Sequence, residues 1–145
     1  MGLDMYLFAK RFMWYNEDEL KDDVTRAFKD LPEGVRAKEV QFEVGYWRKA
    51  NHIHKWFVDN VQDGKDDCGY YYVSKDKVHE LLTVCRAVFD NHELAQKLLP
   101  TQDGFFFGGT EYDEWYYEDV ELTIKILERA EALPNGYELE YHSSW

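Results

Sequence analysis

The sequence predicts an α+β protein, a single domain over residues 1–145 in which a mostly antiparallel sheet is packed with about four helices. Three observations carry this. Segments of alternating hydrophobicity open and close the chain and recur between helical stretches, which favours hairpin-like pairing over a regular βαβ order. Apolar residues at helical spacing fill the intervening stretches. The chain has 145 residues, 45% of them hydrophobic, enough for one core, with no repeat, linker or low-complexity tract.

Taken in order, "LDMYLFA" at 3–9 alternates, with Leu3, Met5, Leu7 and Ala9 on one face. The run "NEDELKDDVTRAFKDL" reads as a helix capped by Asn16. Acids fill its first turn, Leu20, Val24, Ala27, Phe28 and Leu31 form its inner face, and Pro32 and Gly34 end it. "VRAKEVQFEVGYW" sets Val40, Phe42 and Val44 against Glu39, Gln41 and Glu43, a half-buried strand. A helix from about Trp47 to Val61 follows, stopped by Gly64, with Ala50, Ile53, Phe57 and Val61 inward and His54 and Val58 at the edge of that face. "GYYYVS" is a short strand, and Ser74 caps a helix bearing Val78, Leu81, Leu82, Cys85 and Val88. A shorter helix fits "HELAQKLL". "TQDGFFFGGT" is a loop or short strand. A long helix from about Tyr112 to Ala132 puts Tyr116, Val120, Thr123, Leu127 and Ala130 inward. The turn "PNG" leads to a last strand, "YELEYHSSW".

Charge and composition narrow the function. Lys and Arg number 17 against 29 Asp and Glu, a net charge of -12, which argues against general nucleic-acid binding. High charge also serves solubility, and a basic partner is compatible with it. Aromatics make up 17%, so some Tyr and Trp must reach surfaces, where they suit interfaces and pockets. Two cysteines, Cys68 and Cys85, do not form a disulfide scaffold. No signal peptide or membrane-length apolar run stands out, and Tyr6 occupies the position that myristoylation reserves for a hydroxyl residue. A cytoplasmic protein that does not engage membranes is expected.

Against that acidic background "YWRKANHIHKWF" holds no carboxylate. Arg48, His52 and Lys55 fall on the side of the expected helix away from the core, together with Asp59. Read as an anion site, Arg48 and Lys55 supply charge, Asn51 and His52 hydrogen bonds, and Trp47 or Trp56 a stacking plane. Read as structure, the same face pairs with carboxylates elsewhere. His52 and His54 are two apart and diverge on a helix, and no cysteine or histidine spacing matches a zinc motif. "DNVQDGKDDCGY" has the outline of a calcium loop, but Val61 and Tyr70 occupy ligand positions, so it is a turn. No metal and no cofactor are expected.

"GFFFGGT" lacks the Lys-Ser/Thr pair of a phosphate loop, and Glu111, Asp113 and Glu114 behind it would repel an anion. Thr110 with Asp113 looks like a cap. The aromatic run that follows could wall a pocket. No serine or cysteine lies in a nucleophile motif, and Cys85 suits the core.

The start "MGLDMYL", the blocks "YWRKANHIHKWFVDNVQDGKDDC" and "LLPTQDGFFFGGTEYDEWYYEDV", and the final "SSW" together resemble a family of small bacteriophage and prophage proteins. The likeness covers most of the chain outside about 15–40. Some members carry the label phosphoglycerate kinase, a two-domain enzyme far longer than this chain, and this sequence has no nucleotide motif. The resemblance supplies no catalytic residue. It implies an accessory protein in the host cytoplasm during infection, of a type that often counters host defence by occluding an effector or sequestering a nucleotide signal.

Three functions stay in play. The first is binding or sequestering a small anionic, nucleotide-like ligand at Tyr46, Trp47, Arg48, Asn51, His52 and Lys55, walled by Phe106, Tyr112 and Trp115. The second is inhibition of a host protein through an acidic surface formed by Glu111, Asp113, Glu114, Glu118, Asp119 and the 17–23 run. The third is a small hydrolase using His52 or His54 beside an acid such as Asp113. Self-association as a homodimer is left open.

Overall fold

In the computed structural model, which describes residues 2–145, four strands pair into one fully antiparallel sheet: β1 (Asp4–Phe12), β2 (Glu39–Arg48), β3 (Tyr70–Val73) and β4 (Tyr137–Ser144). Their spatial order is β2-β1-β4-β3. The helices are α1 (Asp18–Arg26), α2 (Asn51–Asn60), α3 (Lys75–Asp90), α4 (Ala95–Leu98) and α5 (Glu114–Ala132), with one 3₁₀ turn at His92–Leu94. The α+β architecture expected from the sequence is the one observed. Among the described residues no helix is long and apolar enough to cross a membrane.

The core lies between one face of the sheet and α2, α3 and α5. Leu3, Met5, Leu7 and Ala9 point into it from the start of the chain, as alternation requires. From α3 come Val78, Leu81, Leu82, Cys85 and Val88, all buried, behind a Ser74 cap whose hydroxyl accepts from the Lys77 N–H. Cys85 is an inert core thiol, its pKa pushed up by burial to about 12. At the far end of α5, Lys75 donates to the carbonyls of Ala130 and Leu133, a cation where the helix dipole is negative.

The expected helix from Trp47 is corrected. Tyr46, Trp47 and Arg48 belong to β2, and α2 starts at Asn51. Leu7 pairs with Gly45 and Phe8 with Glu43, which leaves Val44 as an extra residue, a β-bulge. Simple continuation of Val40 and Phe42 would have turned Tyr46 and Arg48 inward. The bulge shifts the phase by one, so Gly45 and Trp47 face the core and Tyr46 and Arg48 face out. Trp47 is buried and its Nε1–H donates to Thr123 Oγ1 at 2.8 Å. That hydroxyl donates in turn to the Asp119 carbonyl at 2.6 Å, which ties β2 to α5.

The expected helix over 16–31 is also corrected. α1 is nine residues long, starts behind Glu17 rather than Asn16 and buries no residue. Leu20, Phe28 and Leu31 stay exposed. The inner face of the sheet is already covered by three other helices, so nothing is left to receive them. Polar ties hold this arm instead. Glu17 accepts from Arg11 and from the Trp14 N–H, Arg36 pairs with Asp18 and Asp22, and Thr25 Oγ1 accepts from the Ala37 N–H.

His54 is fully buried and both its ring nitrogens are engaged, Nδ1 with the Tyr141 hydroxyl at 2.7 Å and Nε2 with Asp66 at 2.9 Å. Burial pushes its pKa down against the pull of Asp66. A neutral ring that donates from Nε2 and accepts at Nδ1 satisfies all three groups. Trp145 Nε1–H donates to the same Asp66 oxygen. On the outer face a row of rings crosses the whole sheet, Tyr46 beside Tyr6, then His142, then Tyr70 stacked on His142 at 3.9 Å.

Gly45 is the residue that lets α5 sit this close. A Cβ there would come within 2.3 Å of the Ile126 side chain. Gly45→Ala should therefore destabilise by about 1–3 kcal/mol in urea unfolding, and adding Ile126→Val should recover part of the loss.

Candidate functional site

At the end of β2 the chain must turn sharply into α2, and Lys49 does so with a φ of 57°, a left-handed conformation that costs a non-glycine residue about 1 kcal/mol. The Lys49 N–H donates to the Leu3 carbonyl at 2.7 Å, which fixes the turn against β1. Gly108, with a φ of 82°, packs on the other side, where a Cβ would meet Lys49 Cβ at 3.2 Å. Strain of this kind persists only where the surroundings hold it, and it marks a cavity here.

That cavity has a volume of about 360 Å³ and lies between the β2–α2 turn, the 101–113 loop and the N-terminal half of α5. Arg48 and Lys49 stand on one wall, and Glu111, Asp113, Glu118 and Asp119 on others. His52, Tyr116 and Trp115 supply its aromatic lining.

Asn51 builds the loop wall. Its Nδ2 donates to the carbonyls of Phe107 and Gly109 at 3.0 and 2.8 Å, and its Oδ1 accepts from the Gln102 N–H at 2.9 Å. Thr101 closes the loop from the other end, donating through Oγ1 to Thr110 and through its N–H to the Tyr112 hydroxyl. The three phenylalanines diverge: Phe105 is exposed, Phe106 half-buried and Phe107 buried beside His54.

His52 stacks on Tyr116 with centroids 4.1 Å apart and is 3% exposed. Its Nε2 has no hydrogen-bond partner among the described residues. Burial holds its pKa down at about 3, with only a small upward pull from the Tyr116 backbone, so the ring is neutral at ordinary pH. Tyr116 is buried and donates to the Leu99 carbonyl at 2.7 Å. Asp113 caps α5, its carboxylate accepting from the Tyr116 N–H at 3.1 Å, so the cap is Asp113 itself and not Thr110. Asp119 has its pKa raised to about 7, first by burial and then by Glu118 and Asp113.

Of the residues singled out in the sequence, Arg48, Asn51, His52 and Trp115 meet at this cavity. Trp47 does not, being core. Tyr46 faces out from the sheet and donates its hydroxyl to Asp4, which also holds Arg48 at 2.7 Å. Lys55 pairs with Asp59 at 2.9 Å and lines a separate recess of about 90 Å³ near Leu98–Pro100. Phe106 and Tyr112 pack against the core, and Trp56, the other stacking candidate, is buried. His52, expected on the open side of its helix, is inside, because α5 covers a second face of α2. Lys49, Thr101 and Tyr116 join the lining without having been singled out for it. No motif marks them, although Trp115, Glu118 and Asp119 do fall at the spacing that shares one helix face. His54 has no nitrogen left for catalysis. No protein family, curated protein or solved structure matches the chain.

Asn51→Ala leaves two carbonyls and one N–H unpaired and should cost on the order of 2 kcal/mol or more in chemical denaturation. For Asp119 the folded pKa lies above the ordinary value of 3.8, so the folded state binds the extra proton between those limits. The stability penalty is absent below about pH 4 and complete above about pH 7. Asp119→Asn should accordingly melt higher than the parent at pH 8, with the difference vanishing near pH 4.

Proposed function

We propose that the protein binds a small polar ligand in this cavity and holds an anionic group of it at Arg48 and Lys49. The observation that carries the reading is the cavity itself, about 360 Å³, into which a strained turn delivers two adjacent cations. That volume lies within the range of small-molecule sites.

Arg48 suits the role. Asp4 takes one guanidinium nitrogen, Nη1, and the Tyr46 hydroxyl adds a second contact, which steadies the side chain and leaves part of the fork for a planar or tetrahedral anion. Lys49 has no ion-pair partner among the described residues and adds a mobile point charge. Trp115, 66% exposed at the rim, gives a flat group a face to lie on.

The reading is one of binding without turnover. His54 is fully engaged, Asp113 is spent on a helix cap, and His52 stays neutral to about pH 3, too weak a base for proton transfer near neutrality. In the infected cell that the sequence resemblance implies, such a protein sequesters a small nucleotide-like molecule from host use.

A thermal-shift panel of nucleotides, cyclic dinucleotides, ADP-ribose derivatives and sugar phosphates tests it. A ligand present at about a hundred times its Kd should add roughly 2.7 kcal/mol of stability, and the double variant Arg48→Ala, Lys49→Ala should lose the effect. A shift that survives the double variant would overturn the reading, as would silence from this panel and from zwitterionic compounds alike.

A further inference from the structure

The cavity holds more negative than positive charge. Glu111, Asp113, Glu118 and Asp119 line it, against Arg48 and Lys49 alone. Arg48 is already part-neutralised by Asp4. A ligand carrying only anionic groups would meet Lys49 and half of Arg48 at one end and uncompensated carboxylates at the other.

Asp119 makes the deficit specific. It is half-buried, and among the described residues its side chain has neither an ion pair nor a hydrogen bond. Its oxygens keep contact with water, and a carboxylate half withdrawn from solvent without a protein partner still carries part of the burial penalty. His52 lies beneath these groups, its ring 3% exposed and its Nε2 without a hydrogen-bond partner among the described residues. Carboxylates without partners in a shared cavity call for a group rich in N–H donors and positive charge. The exposed ring of Trp115 offers such a cation a π-face as well.

Resting on the binding function proposed above, we infer that the ligand is a zwitterion, whose ammonium or guanidinium group is held by Asp119 and Glu118 beside Trp115 while its anionic group meets Arg48 and Lys49. The two ends of the site then neutralise the two ends of one molecule, and no charge stays buried alone.

Linkage supplies a readout that mere packing would not move. A cation against Asp119 favours the ionised carboxylate, so binding expels the proton that burial retains near neutrality. The groups around it are Glu111, Asp113 and Glu118 from the loop and α5, His52 from α2, and Arg48 and Lys49 from the β2–α2 turn. Of these His52 titrates far below the range in question.

The probes are ω-aminoalkanesulfonates with two or more carbons between the charged groups, with the matching alkanesulfonates and alkylamines as controls, none of which titrates near neutrality. In thermal-shift and calorimetric titrations the aminosulfonate should stabilise more than either control at equal concentration. The excess should grow several-fold from about pH 6 to about pH 8, with proton release visible as a buffer-dependent enthalpy. Asp119→Asn, which removes a buried charge and so keeps the fold, should abolish that excess and its pH dependence, and Glu118→Gln should reduce it. Equal shifts from aminosulfonate and alkanesulfonate, or an excess untouched by Asp119→Asn, would overturn the zwitterion while leaving anion binding in place. Nucleotides or sugar phosphates that stabilise through Arg48 and Lys49 while every aminosulfonate is silent would overturn it too. Silence from all compounds removes the binding function itself.

Discussion

The extra residue in β2 governs this molecule. With Val44 bulged, Gly45 and Trp47 turn inward at neighbouring positions of one strand, and each does something the other could not. Gly45 leaves room for Ile126, so α5 lies close over the sheet. Trp47 fills the space beside that approach and grips α5 through Thr123. The same shift sends Arg48 outward at the strand's last residue, next to the turn that opens the cavity. Remove the bulge and Arg48 points into the core and Trp47 into water, an exchange no core would survive.

This also explains why an acidic protein keeps one short segment free of carboxylates. The twelve-residue stretch from Tyr46 to Phe57 is not one face of one helix. It is a strand end, a strained turn and a buried helix in succession. Apart from the outward Tyr46 its aromatic rings and its histidines are spent on the core and on α5, Arg48 and Lys49 lie at the turn, and Asn51 ties down the loop that forms the opposite wall. Carboxylates are missing from it because most of its positions are buried.

Much of the fold could be read from the residues. β1, β4, α3 and α5 follow their alternation or helical spacing, and Ser74 caps where expected, because each of these patterns is local. What escaped was non-local. The bulge breaks the period of β2 beside Gly45, where simple alternation was read straight through, so Trp47 looked like the start of a helix. The arm around α1 has good amphipathic spacing, but whether an apolar face is buried depends on which helix reaches the sheet first. For the site, Arg48, Asn51, His52 and Trp115 were legible as types suited to binding. Which of their neighbours would share a cavity with them depended on the loop path that Asn51 sets, and no spacing in the chain encodes it.

The arm from about Trp14 to Lys38 has a life of its own. Its helix contributes nothing to the core. The Arg36 pairs with Asp18 and Asp22 are internal to the arm, and the Arg11–Glu17 pair and the bond from the Met13 N–H to the Lys38 carbonyl tie it to the sheet. Ties of that kind are individually worth little in water and weaken with salt. An arm held in this way should open at lower free energy than the sheet it hangs from, with amide hydrogens that exchange ahead of those of β1 and β4.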